Sequence, residues 1–141
     1  MNILLIDGRG GLLGSQIIKV INEKFPEFEV VAIVTNAVAT SAMIKAGAKV
    51  AAIGENPVIV ACRKADVIIG PVGIVIADSL YGEVTPEMAV AVGQSDGVKI
   101  LIPVNRCDNF VAGVTNTNVT DLIEDAMLKL QNIAQNRNCK V

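Results

Sequence analysis

The sequence contains no histidine and no tryptophan, and it has only one tyrosine and three cysteines. The absence of histidine removes the commonest general base, the Ser-His pairing of many hydrolases and most zinc sites. Cys62, Cys107 and Cys139 lie far apart without Cys-x-x-Cys spacing, and an odd number of cysteines is a poor disulfide framework. We therefore predict no metal site, and we expect Cys62 to be a small buried residue on a helix.

Charged residues are also scarce, at 18% of the chain with a net charge of −2. No dense cluster of Lys and Arg is present, so the electrostatic footprint of a nucleic-acid-binding protein is missing. The apolar stretch at residues 67–77 is interrupted by Gly70, Pro71 and Gly73 and is too short to cross a bilayer. Because no basic segment precedes a hydrophobic one at the N-terminus, we expect a cytoplasmic protein that binds neither nucleic acid nor membrane.

The chain is instead rich in small and β-branched apolar residues, and hydrophobic residues make up 52% of its 141 positions. Strands that are covered by helices on both faces show such continuous apolar runs. This composition predicts one domain over residues 1–141, with an α/β fold of three α/β/α layers around a mainly parallel, Rossmann-like sheet. The small number of charges available to cover the surface also predicts a homo-oligomer, most simply a homodimer.

Hydrophobic periodicity and turn residues predict alternating strands and helices, with right-handed crossovers and the first strand at the centre. Strands are expected at residues 2–6, 30–34, 50–53, 67–69 and 99–102, with a possible antiparallel edge strand at 110–114. Helices are expected at residues 11–24, 37–46, 57–64, 85–94 and 120–134. Residues 136–141 are expected to be loose.

The most informative segment is Asp7-Gly8-Arg9-Gly10-Gly11-Leu12-Leu13-Gly14, which follows an apolar run. A strand that turns through glycines into a helix can hold a phosphate, because the backbone approaches closely and the helix N-terminus stabilises negative charge. The strict G-x-G-x-x-G spacing from Gly8 fails at Leu13. Gly8, Gly11 and Gly14 form G-x-x-G-x-x-G, which resembles the fingerprint of extended and atypical short-chain dehydrogenase/reductases. The alternative is a tight turn without a ligand.

Ligands of open parallel sheets bind beyond the carboxyl ends of the strands. The candidate binding residues at these ends are Gly8, Arg9, Gly10, Gly11, Leu12, Gly14, Thr35, Asn36, Gly70, Pro71, Gly73, Asn105 and Arg106. The expected cofactor is NAD(P) or a related nucleotide. Gly70-x-x-Gly73 is interpreted either as a contact to a cofactor or as a simple turn.

The end of the second strand lacks the acidic residue that an NAD site is expected to have there. Thr35 and Asn36 occupy this position, and no basic residue follows until Lys45. The missing carboxylate argues against NAD and leaves NADP, a flavin, coenzyme A or a mononucleotide open, although a clamp for a 2′-phosphate is not evident either. Asn36 is interpreted either as a ribose contact or as the cap of the following helix.

A polar stretch precedes the fourth helix and consists of Asp78, Ser79, Tyr81, Glu83 and Thr85. It is interpreted as a solvated loop or as a lid over a substrate pocket. The reductases that the glycine motif resembles use a Tyr-x-x-x-Lys pair, but Thr85 lies four residues after Tyr81. This departure argues against their chemistry.

Arg106, together with Asn105 and Asn109, forms the best cluster of a cation with amides, suited to a carboxylate or a phosphate. The alternative is a hairpin loop between two short strands. Cys107 lies beside Arg106, and a neighbouring cation can lower the pKa of a thiol, although a reactive role is the weaker interpretation.

Three segments resemble a family of short bacterial proteins of unknown function, and the resemblance covers nearly the whole chain. They are GPVGIVIADSL at residues 70–80, GEVTPEMA at 82–89 and IPVNRC at 102–107. The resemblance implies the fold and brings no activity with it, so whether the protein is an enzyme is left open. Two interpretations remain: a nucleotide-binding sensor or regulatory module, or a small NAD(P)- or flavin-dependent oxidoreductase that orients a cofactor ring near Asp78, Ser79 and Tyr81.

Overall fold

The computed structural model describes residues 1–104, 109–115 and 118–138. The strands are β1 (Asn2–Asp7), β2 (Glu29–Val34), β3 (Val50–Ile53), β4 (Val67–Pro71) and β5 (Val98–Ile102). The helices are α1 (Leu12–Lys24), α2 (Ala37–Lys45), α3 (Glu55–Cys62), α4 (Pro86–Gln94) and α5 (Val119–Asn138). A 3₁₀ turn at Val72–Val75 follows β4.

The five strands form one all-parallel sheet in the order β3-β2-β1-β4-β5. β1 lies at the centre, where Ile3 pairs with Val30 on one side and with Val67 on the other. The predicted Rossmann-like α/β fold with a central first strand is confirmed. The connection after β1 leads to β2 on one side of the sheet, whereas the connection after β4 leads to β5 on the other side. The strand order therefore reverses between β1 and β4, and ligands of such sheets bind at this switch point.

Helices cover both faces of the sheet. One buried cluster joins α1, α2 and α5 to the sheet through residues such as Ile17, Met43 and Leu130. The other joins α3 and α4 to the opposite face through Val58 and Met88. Successive apolar side chains of β1 alternate between the two clusters, so both faces of the strand are buried. This double burial explains the excess of β-branched residues in the sequence.

The predicted edge strand at residues 110–114 is wrong. This segment is a loop with a turn, in which Gly113 has a left-handed φ of 85°. Strand-forming residues are not sufficient when they stay exposed, and Phe110 is 90% exposed. The sheet therefore has no antiparallel strand in the part of the chain that the structure describes.

Other boundaries also differ from the sequence prediction, and α3, expected at residues 57–64, lies at Glu55–Cys62. Gly70 and Pro71, expected in a loop, are the last residues of β4 and pair with Leu101 and Ile102 of β5. The last helix continues to Asn138, so residues 136–138 are helical rather than loose. An ion pair of 2.6 Å between Arg137 and Asp66 ties this last turn to the start of β4.

Among the described residues, no helix is both long enough and apolar enough to span a membrane.

The expected homodimer remains a prediction, and exposed apolar side chains show where to test it. Val90 of α4 is 53% exposed and Leu128 of α5 is 61% exposed. We expect light scattering over a wide concentration range to give twice the 14.8 kDa mass of the chain. Val90→Lys or Leu128→Lys should weaken association, depending on which helix forms the contact. A monomer mass at all concentrations would contradict the prediction.

Candidate functional site

Residues 8–11 form a glycine loop that connects the carboxyl end of β1 to α1. Gly11 is the N-cap of α1 and has a left-handed φ of 72°, which favours glycine. Its amide donates to the carbonyl of Gly8 at 3.1 Å and closes the turn. A Cβ at position 11 would lie 2.9 Å from the Cα of Ala39, so α2 packs directly against the loop.

The outer side of the glycine loop is open and carries unused donors. In the described part of the chain, the amides of Gly10, Leu12 and Leu13 have no hydrogen-bond partner. A Cβ at Gly10 would have no other atom within 4 Å, and the Leu12 side chain is 72% exposed. Free N–H groups at the start of a helix, together with the helix dipole, attract an anion.

Asp7 holds the loop from its buried side. Its carboxylate accepts hydrogen bonds from the amides of Gly8 and Gly14, both at 2.8 Å. Burial raises the pKa of Asp7, the two backbone N–H groups oppose this rise, and the charge of Glu83 adds to it. Sequence reasoning missed this role, although the position of an acidic residue directly before the first glycine was a usable signal.

Gly14 is the third glycine of the motif, and it allows α1 to approach β1 and α2. A Cβ there would lie 2.1 Å from the terminal methyl of Met43 and 3.0 Å from Asp7 Oδ2. Close packing therefore explains the glycine at position 14, and its amide donates a hydrogen bond to Asp7, which holds the glycine loop. It makes no contribution to the open outer side.

Glu83 reaches the glycine loop from the segment that precedes α4. Its Oε2 accepts hydrogen bonds from the amide of Arg9 at 3.1 Å and from Thr35 Oγ1 at 2.6 Å. A Cβ at Gly8 would lie 2.7 Å from this oxygen and 2.8 Å from Thr35 Oγ1. The carboxylate therefore lies directly over Gly8, at the carboxyl end of β2. Sequence reasoning placed Glu83 only in a polar stretch, because 48 residues separate it from Thr35.

The segment that carries Glu83 has an unusual backbone. Left-handed φ angles occur at Asp78 (62°), Leu80 (54°), Tyr81 (58°) and Gly82 (81°). Residues with a side chain adopt this conformation only where the surroundings impose it. Here Leu80 is buried, and the buried Ser79 hydroxyl donates to the carbonyl of Gly73. Ser79 and Leu80 therefore anchor the segment to the core, whereas Asp78, Tyr81 and Gly82 are exposed to solvent.

Arg9 and Tyr81 cover the outside of the contact between this segment and the loop. The guanidinium carbon of Arg9 lies 5.0 Å from the centre of the Tyr81 ring, within the range of a cation–π interaction. The Tyr81 side chain is otherwise 90% exposed. The cation of the glycine loop is thus stacked on an aromatic ring at the surface.

Asn36 caps α2 and ties it to the loop. Its Oδ1 accepts a hydrogen bond from the amide of Ala39 at 3.0 Å, and its Nδ2 donates to the carbonyl of Arg9 at 2.7 Å. Of the two interpretations of Asn36, the structure shows the cap. The neighbouring Thr35 is half-buried, and its hydroxyl donates a hydrogen bond to Glu83.

The other candidate residues do not join the loop. A Cβ at Gly70 would lie 2.4 Å from the carbonyl oxygen of Ile6, so this glycine serves the packing of β4 against β1. A Cβ at Gly73 would lie 3.0 Å from Ser79 Oγ. Pro71 is buried at the end of β4. Of the predicted cluster of Arg106, Asn105 and Asn109, the first two lie outside the described residues, as does the neighbouring Cys107.

A groove of about 650 Å³ runs between α3 and α4, away from the glycine loop. None of the candidate binding residues lines it, whereas Cys62 and Arg63 of the α3 end do. Cys62 is only 4% exposed, as the sequence predicted, and burial raises the pKa of its thiol despite the opposing charge of Lys99. A thiol in this state is a poor nucleophile.

Comparison with known proteins gives a family but no activity. No significant match was found among curated proteins. Residues 2–135 match the family model described as "Domain of unknown function (DUF3842)". Because this match spans most of the chain, the protein belongs to the DUF3842 family.

Proposed function

We propose that the protein binds a nucleotide or dinucleotide, NAD(P) or a related compound, at the glycine loop. The observation that carries the proposal is the open outer side of the loop, where the amides of Gly10, Leu12 and Leu13 have no partner in the part of the chain that is described. These donors lie at the carboxyl edge of a parallel sheet, where such ligands bind. Asp7 and Glu83 add negative charge nearby, so the backbone N–H groups and Arg9 provide the attraction for phosphate.

The surroundings of the loop support a sensor or regulatory module over an oxidoreductase. The side chains expected to orient a cofactor ring have other roles: Ser79 is buried and donates to Gly73, and Tyr81 stacks with Arg9. A binding module needs only a surface that changes when the ligand binds and that a partner or a second copy of the chain can recognise. The ordered segment around Tyr81 lies at the edge of the proposed ligand site and provides such a surface.

The choice of variant decides how sharply the proposal can be tested. Gly11 is a poor probe, because its left-handed φ and its contact with Ala39 mean that a side chain would strain the fold itself. Gly10 has no left-handed φ and no neighbouring atom within 4 Å of an added Cβ. A side chain at Gly10 therefore fills only the space that a ligand would use.

Gly10→Val is expected to fold like the wild type and to bind the nucleotide at least about tenfold more weakly, because the isopropyl group blocks the approach of a phosphate to the backbone. Calorimetric titrations with NAD, NADP, FAD, FMN, ATP and coenzyme A measure the affinities. Gly93→Val is the matched control, since Gly93 is exposed on α4 and also has open space around it. If the wild type binds none of the six compounds, or Gly10→Val binds as tightly as the wild type, the loop is only a turn.

A further inference from the structure

The end of β2 lacks an acidic residue in the sequence. A dinucleotide-binding sheet places a carboxylate at this point, where it accepts hydrogen bonds from ribose hydroxyls. In this chain β2 ends at Val34, and Thr35 and Asn36 follow it. The side chain of Asn36 already makes two hydrogen bonds, one in the cap of α2 and one to the carbonyl of Arg9, and it carries no negative charge.

The fold brings a carboxylate to this same point from a distant part of the chain. Glu83 Oε2 lies 2.6 Å from Thr35 Oγ1 and 3.1 Å from the amide of Arg9. It therefore lies between the end of β2 and the first turn of the glycine loop. An acid at the end of β2 in the sequence would approach the loop between the same two elements, because β1 and β2 are neighbours in the sheet.

One oxygen of Glu83 remains available to a ligand. Oε2 accepts both hydrogen bonds, whereas Oε1 has no partner in residues 1–104, 109–115 or 118–138. An ionised carboxylate only accepts hydrogen bonds, and a ribose hydroxyl can donate one. A 2′-phosphate is a negatively charged acceptor, so Glu83 would repel it.

We propose that Glu83 is the ribose acceptor of the glycine-loop site and makes this site select NAD over NADP. The inference rests on the nucleotide site proposed above and names its ligand class: a dinucleotide with an unmodified 2′-hydroxyl. Thr35 and the amide of Arg9 position the carboxylate, and the buried Ser79 and Leu80 anchor the segment that carries it.

Calorimetric titration of the full chain with NAD and with NADP tests the role of Glu83. We expect the wild type to bind NAD at least about tenfold more tightly than NADP. Glu83→Gln keeps the size of the side chain, removes its charge and adds an N–H donor. It should weaken NAD binding by about tenfold and strengthen NADP binding, so that the preference disappears. Glu87→Gln is the matched control, because Glu87 is an exposed carboxylate in the first turn of α4, and it should leave both affinities unchanged.

The ratio of the two affinities separates this role from simpler ones. If Glu83→Gln weakens both ligands by the same factor, Glu83 only supports the loop, and if it strengthens both, the carboxylate merely fills the anion site. Either result overturns the inference, as does a wild type that binds nucleotides without distinguishing NAD from NADP; the nucleotide site itself then stands. A wild type that binds no nucleotide overturns both proposals.

A second variant guards against misfolding of Glu83→Gln, which thermal unfolding would reveal. Glu83→Asp keeps the charge but withdraws the carboxylate by one methylene group. It is expected to weaken NAD binding without any gain for NADP, because the repulsion of a 2′-phosphate remains. A gain for NADP in Glu83→Asp would contradict the proposed role of the charge.

Discussion

Gly70→Ala is expected to lower the free energy of unfolding by about 3 kcal/mol. A methyl group at this position would lie 2.4 Å from the carbonyl oxygen of Ile6, which belongs to the central strand β1. β4 cannot move away, because it is also paired with β5 through Leu101. Urea denaturation measures the effect as a shift of the midpoint at an unchanged slope.

Gly93→Ala is the control for this substitution. Gly93 is exposed near the end of α4, and nothing lies within 4 Å of an added Cβ. Alanine has the higher helix propensity, so Gly93→Ala should stabilise the protein by up to about 1 kcal/mol. A Gly70→Ala protein as stable as the wild type would contradict the close approach of β4 to β1.

Asp7→Ala is expected to lower the free energy of unfolding by about 2–4 kcal/mol. The buried amides of Gly8 and Gly14 would each lose their acceptor, and an unsatisfied buried N–H group costs about 1–3 kcal/mol. The loss of the buried charge offsets part of this cost. Urea denaturation at neutral pH measures the difference, and a variant as stable as the wild type would show that the carboxylate does not hold the loop.

The pH dependence of stability provides a second measurement on Asp7. Burial raises the pKa of Asp7 above its ordinary value of 3.8, so the folded state binds the proton more tightly than the unfolded state. The stability that this tighter proton binding contributes is fully present below the pKa of Asp7 in the unfolded state, and it is lost as the pH rises through the pKa in the folded state. Asp7→Asn lacks this titration. The stability of the wild type relative to Asp7→Asn should therefore decrease as the pH rises above 3.8.

For Asp66→Asn, the difference in stability from the wild type should change with pH in the opposite direction. A hydrogen bond from Arg137, and then one from the amide of Asn2, hold the pKa of Asp66 below 3.8. The resulting stabilisation is present above the unfolded pKa and is lost as the pH falls through the folded pKa. The stability of the wild type relative to Asp66→Asn should thus increase with pH, on the acid side of 3.8. The same sign of slope for both variants would contradict the two assignments.

The sheet could be predicted from the sequence because its signals are local. Apolar runs marked each of the five strands, and the Thr85-Pro86 pair marked the start of α4. In the structure Thr85 Oγ1 accepts a hydrogen bond from the amide of Met88 at 3.2 Å, as a helix cap does. The edge strand at residues 110–114 failed because pairing depends on burial, which local propensity does not report.

The candidate site could be predicted only in part. The glycine loop could be predicted because its spacing is local, but the structural role of each glycine depends on the atoms that lie opposite it in the fold. Gly70 faces a carbonyl of β1 and Gly11 faces the backbone of α2, whereas Gly10 faces open space. Glu83 was assigned only to a polar stretch, because only the folded chain brings it to Thr35 and no periodicity encodes that contact.

Because β1 is the central strand, with β2 and β4 as its neighbours, it cannot pair on both sides until the ribosome has synthesised β4. β1 is synthesised first and can pair with β2 early, but its other neighbour is β4, and Asn2 waits for Asp66, 64 residues away. Such distant parallel pairing folds slowly. Until β4 arrives, one side of β1 exposes unpaired backbone groups that can join a strand of another chain. The nascent chain is therefore expected to be most prone to aggregation while it extends from β2 to β4.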